Sequence, residues 1–95
     1  MYGASFAQNT SYGAGAGSGG ADNSFFGAAA GAQNTGSLST FMGKAAGYGN
    51  HGNDNVYIGY YSGRANAGGH SNTFVGSRTG FDAKGTRILM MISTS

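Results

Sequence analysis

The chain has 95 residues and a formal charge of +2, and sixty of its positions are Gly, Ala, Ser, Asn or Thr. Leu, Ile, Val and Phe supply only thirteen residues, too few for an ordinary two-layer core, yet the lack of Pro and Glu and the 13% aromatic content do not fit a disordered chain. With no Cys there is no disulfide framework or thiolate metal site, and so small a charge gives no ground for a nucleic-acid or membrane partner.

Residues 1–8 lack the pattern that governs the rest and read as a partial coil or a frayed N-terminus, with no basic-then-apolar signal pattern after Met1. From residue 9 an internal repeat takes over. A degenerate copy, Asn9-Thr-Ser-Tyr-Gly13, is followed by Asn23-Ser-Phe-Phe-Gly27, Ser39-Thr-Phe-Met-Gly43, Asn55-Val-Tyr-Ile-Gly59 and Asn72-Thr-Phe-Val-Gly76. Four residues after each of these glycines comes a second, at 17, 31, 47, 63 and 80. The first glycines are 14, 16, 16 and 17 residues apart, one coil of a solenoid per step. Gly36, Gly52, Gly68 and Gly85 lie nine residues after them, and Asn34, Asn50 and Asn66 lie seven after. Residues 9–85 therefore form a Gly-rich repeat region. Residues 86–95 read as a C-terminal strand or cap, with Met90 where the next glycine is due and an apolar run, Ile88 to Ile92, far below membrane-spanning length.

Strand alternation gives the repeat its physics. The residue before the first Gly faces one way and the aromatic before it faces the other, so stacking produces two ladders. One is Phe25, Phe41, Tyr57 and Phe74, interrupted by Ser11 in the weak first copy; the other is Tyr12, Phe26, Met42, Ile58 and Val75. The pattern predicts an all-β fold, a parallel β-solenoid or β-roll of about five coils of 14–17 residues. A strand apolar on both faces is buried on both. One ladder fills the interior of its own coil; the other needs a second surface, and a further copy of the chain is the simplest supplier. Both ladders are thus candidates for core or oligomer interface. The glycines serve corners that need positive φ, the small residues Ala16, Ala30, Ala46, Ser62 and Thr79 suit a narrow interior, and the row Asn34, Asn50 and Asn66 suits left-handed turns and bonding along the axis.

The Asn72-Thr-Phe-Val-Gly-Ser-Arg-Thr-Gly80 string and its relatives resemble the Asn-Thr-Phe-Ile-Gly-type repeats of bacteriophage tail fibres and bacterial surface fibre proteins. They are also similar to the Asn-Ser-Val-Ala-Ile-Gly repeat in the head of trimeric autotransporter adhesins, although the coils here are longer and carry a mid-strand aromatic. The resemblance covers about residues 9–85. It implies a non-catalytic homotrimer, intertwined or side by side, displayed at a virion or extracellular surface, spacing other parts and contacting a host glycan or protein receptor.

Other motifs dissolve into the repeat. Gly15/Gly17/Gly20 and Gly47/Gly49/Gly52 match Gly-x-Gly-x-x-Gly but open no helix, so no cofactor site is expected. Gly13-Ala-Gly-Ala-Gly-Ser18 is silk-like but occurs once. His51 and His70 hold different positions in their coils, and the 50–54 segment reads as a polar turn rather than a metal site. No Ser, His and Asp constellation points to catalysis. Tyr60-Tyr61 next to Arg64 is the one basic aromatic cluster, read as an exposed surface rather than a single-strand nucleic-acid site, and Tyr48, Tyr60, Tyr61 and Arg64 are the candidate receptor contacts. Two alternatives to a fibre segment are a self-assembling extracellular filament and a module whose repeated face binds ice or polysaccharide; Ser24, Thr40 and Thr73 form a hydroxyl row that Val56 interrupts.

Overall fold

A computed structural model describes residues 8–64, 68–80 and 89–90. The chain is a parallel β-solenoid. Its strands are β1 (Thr10–Tyr12), β2 (Ser24–Phe26), β3 (Thr40–Met42), β4 (Val56–Ile58), β5 (Thr73–Val75) and β6 (Leu89–Met90). They form one sheet in sequence order, every pair parallel. Parallel neighbours need a long crossover, commonly a helix. Here turns supply it, and the described residues contain no helix. Pairing follows the glycine spacing, with Phe25 opposite Phe41, Phe41 opposite Tyr57 and Tyr57 opposite Phe74.

Of the two apolar ladders, the aromatic one lies inside. Phe25, Phe41, Tyr57 and Phe74 are completely buried, and their rings stack along the axis with centroids 5.4, 4.8 and 5.0 Å apart. Spacing near that of hydrogen-bonded strands is what in-register stacking imposes. Six residues after each aromatic comes the second glycine of the repeat, and a Cβ built on Gly31, Gly47, Gly63 or Gly80 would overlap the ring of its own coil. Ala30, Ala46, Ser62 and Thr79 complete the buried interior, with Ala16 packed at its edge. The Tyr57 hydroxyl, buried with its ring, donates to Asn50 Oδ1 at 3.4 Å. In the first coil Ser11 replaces the ring and its hydroxyl donates to the Gly17 carbonyl at 2.6 Å.

Asparagine holds the coils in register. The Asn23 N–H donates to Asn9 Oδ1 (2.9 Å), Ser39 N–H to Asn23 Oδ1 (2.8 Å), Asn55 N–H to Ser39 Oγ (3.1 Å) and Asn72 N–H to Asn55 Oδ1 (2.9 Å). The amide nitrogens cross the coil: Asn23 Nδ2 donates to the Gly36 carbonyl at 2.9 Å and Asn55 Nδ2 to that of Gly69 at 3.0 Å. A second row links Asn50 Nδ2 to Asn34 Oδ1 at 2.7 Å. Apart from half-buried Asn9 these side chains are almost fully buried, and the bonds supply partners for backbone and side-chain groups that lie out of reach of water.

Several details differ from the sequence-based expectations. Asn34 and Asn50 bond along the axis, but the left-handed φ falls one residue earlier, at Gln33 (60°) and Gly49 (76°). Gly69, rather than Gly68, continues the column of Gly36 and Gly52, because the longer coil absorbs its extra residue before that point. Met90 pairs with Phe74, which places it at the aromatic position and not at that of the glycine. The expectations for residues 1–7, Asn66 and Gly85 lie outside the described residues.

The turns leaving the strands use an alternation of backbone sign. Gly27, Ala29, Gly31 and Gln33 have φ of 128, 60, 68 and 60°. The intervening N–H groups of Ala30, Ala32 and Asn34 bond back three residues, to the carbonyls of Gly27, Ala29 and Gly31. The N–H groups of Gly27 and Ala29 reach Tyr12 and Ala14 in the preceding coil, while that of Gly31 reaches Ala46 in the next. The N–H groups of Gly27, of residues 29–32 and of Asn34 are thus arranged in a repeating pattern that takes Ala45, Tyr61 and Arg78 into the left-handed region at 58 to 60°.

Candidate functional surfaces

With the aromatic ladder enclosed, the other ladder is exposed. Tyr12 is 77% exposed, and Phe26, Met42 and Ile58 are 38, 42 and 37% exposed, whereas Phe25, Phe41 and Tyr57 one residue earlier are at 0%. Val75 is half-buried. These side chains share their strand face with Thr10, Ser24, Thr40, Val56 and Thr73, which the sheet register aligns into a parallel row. The result is an apolar column beside an incomplete hydroxyl row, an arrangement that soluble single chains rarely leave uncovered.

The turns leaving β3, β4 and β5 carry a second surface. Tyr48, Tyr60, Tyr61 and Arg64, grouped as candidate contacts from sequence, come together, and Arg78 from the next coil joins them. The Arg64 guanidinium is 5.3 Å from the Tyr48 ring centroid and 4.8 Å from that of Tyr61. The rings of Tyr61 and Tyr60 stack at 4.2 Å, and Arg78 lies over Tyr60 at 5.6 Å. Cation and ring hold each other in place at this range. Coil register explains the meeting. Tyr48 and Arg64 each follow their first Gly by five residues, Tyr61 and Arg78 by two, and Lys44 and Tyr60 by one. Arg78 and exposed Lys44 escaped the sequence reading as members of this group, because only stacking brings such scattered residues together.

Between the histidines lies an open polar cleft of about 360 Å³, lined by His51, Gly52, Asn53, Asp54, Gly68 and His70. His51 and His70 hold unequal positions in their coils, as expected, and still face one cleft. Their Nδ1 atoms lie 2.6 Å from Thr35 Oγ1 and 3.3 Å from Ser71 Oγ. Among the described residues no group of three or more His, Asp or Glu side chains is arranged to hold a metal ion.

The chain matches no family model, no curated protein and no solved structure.

Proposed function

We propose that this chain is a non-catalytic segment of a trimeric surface or viral tail fibre, built from about five coils per copy, that spaces other parts of the fibre and contacts a receptor. The observation that carries the proposal is the exposed column Tyr12, Phe26, Met42, Ile58 and Val75. A column parallel to the solenoid axis gives each coil the same contact to offer, so copies related by a rotation axis along the fibre cover it coil by coil. Resemblance of the repeat to tail-fibre and adhesin-head repeats supports three copies and a place on a virion or cell surface. Tyr48, Tyr60, Tyr61 and Arg64, on the turns rather than the strand face, are the receptor contacts in this assignment.

Sedimentation over a hundredfold concentration range tests the assembly. A single species at three times the chain mass is the expected result; a single-chain mass contradicts it. Growth of the mass with concentration would favour a self-assembling filament, the reading suggested by a sheet whose order ends on a strand as exposed as β1. The hydroxyl row Thr10, Ser24, Thr40 and Thr73 favours a third use, recognition of ice or polysaccharide by the strand face. Ice crystals that grow unshaped in the protein's presence would remove the ice-binding form of that reading.

A further inference from the structure

We infer that the surface formed by Tyr48, Tyr60, Tyr61, Arg64 and Arg78, extended by Lys44, binds an acidic polysaccharide, a glycan carrying sulfate or carboxylate groups. The inference rests on the receptor-contact part of the function proposed above and is independent of the number of copies in the fibre.

Charge placement is the first argument. Lys44, Arg64 and Arg78 lie on the turns leaving three successive strands, one cation per coil. Among the described residues the acids are Asp22 and Asp54, and both lie on the opposite turns, those entering β2 and β4. Among the described residues neither Lys44 nor Arg78 forms an ion pair, and both are exposed. The surface therefore carries a separated positive field that an anion completes.

Ring geometry selects the kind of anion. A nucleic acid or a neutral sugar is gripped through open aromatic faces. Here Tyr61 has Tyr60 on it at 4.2 Å and Arg64 over it at 4.8 Å, Tyr60 has Tyr61 and the Arg78 guanidinium over it, and Tyr48 has Arg64 at 5.3 Å. With Tyr60 and Tyr61 each contacted by a ring and a cation, and Tyr48 by a cation, phenolic hydroxyls and guanidinium N–H groups are the donors the surface offers. Held by stacking, these donors lose little freedom on binding and form charge-assisted bonds with sulfate or carboxylate oxygens. A polymer with an acidic group at regular intervals meets a cation in each successive coil.

The test uses the intact assembled protein with dextran sulfate, unsulfated dextran and oligothymidylate as probes, measured by titration calorimetry. Dextran sulfate should bind, more weakly as salt rises, and dextran should not. Lys44→Gln with Arg78→Gln should weaken binding by at least about tenfold, the loss expected from one or more charge-assisted bonds, with unchanged sedimentation mass. Glutamine suits the backbone at position 78, since Gln33 takes the same φ of 60° as Arg78. Lys44→Gln alone, on a side chain outside the ring stack, should weaken binding several-fold with an unchanged melting temperature. Variants that bind as the parent does, or oligothymidylate bound as tightly as dextran sulfate, would overturn the inference. An oligomer that ignores dextran sulfate overturns it and leaves the fibre assignment standing; a monomer that binds dextran sulfate does the reverse.

Discussion

Gly47 lies against the ring of Phe41, six residues earlier in the same coil, so closely that a Cβ at position 47 would overlap the ring carbons. The same relation joins Phe25 to Gly31, Tyr57 to Gly63 and Phe74 to Gly80. It sets the width of the solenoid interior, because the ring occupies the space where every other residue carries a side chain.

Gly47→Ala should therefore destabilise by about 3 kcal/mol, combining the cost of a left-handed non-glycine residue with that of overpacking. Gly49→Ala is the control. Its φ of 76° is similar, but nothing lies within 4 Å of the added methyl. That variant should lose only about 1 kcal/mol. The chain already holds Ala45 at φ 58°, so an alanine is compatible with this backbone where space is open. Urea unfolding of the two variants separates backbone strain from steric overlap; equal losses would contradict the packing described.

The asparagine ladder gives a pair of opposite expectations. Asn23→Ala leaves the Ser39 N–H, which donates to Asn23 Oδ1 at 2.8 Å, without that acceptor in a buried position. A loss of about 1 to 3 kcal/mol follows. Ser39→Asn should do the reverse. Asn23 and Asn55 reach the carbonyls of Gly36 and Gly69, and an amide at position 39 would reach Gly52 in the same way. A gain of about 1 kcal/mol is expected, read as a higher melting temperature. Should Ser39→Asn melt lower than the parent, the ladder's equivalence between coils would be wrong.

Phe41→Ser should act on the fold of each chain rather than on contacts between chains. The ring stacks on Phe25 at 5.4 Å and on Tyr57 at 4.8 Å and is completely buried. Its removal should cost about 3 to 5 kcal/mol or more, seen as loss of β circular dichroism. A variant that keeps its β signal and melting temperature would contradict the assignment of the ring to the interior.

Strands and register were legible because glycine marks each coil and the step from one Gly to the next, 14 to 17 residues, is the strand-to-strand offset of the sheet. The alternation of faces was legible too. Which face is inside was not, since Phe25 and Phe26 are both large and apolar. A signal was present all the same: only the aromatic has a glycine six residues on in every full copy, which leaves room for a ring. The role of the strand-leading asparagines was missed, because the backbone N–H groups that donate to their Oδ1 atoms lie one coil away, 14 to 17 residues along the chain. Gly68 and Gly69 are adjacent, and counting cannot say where a 17-residue coil stores its extra residue. Positive φ at Ala29, Tyr61 and Arg78 has no signature in those residue types; the alternating hydrogen bonds of the turn impose it. Arg78 joined Tyr60 only through stacking of the coils, as sequence distance gave no hint of their contact.

The most direct test of the account is sedimentation equilibrium of the parent chain beside a Met42→Lys, Ile58→Lys variant. Both side chains lie on the outer column, 42 and 37% exposed, so charge there leaves the coil interior untouched. The account predicts a parent at three times the chain mass and a variant at one, with the β circular dichroism of the variant retained. A variant that stays assembled, or a parent that sediments as a single chain, would contradict it.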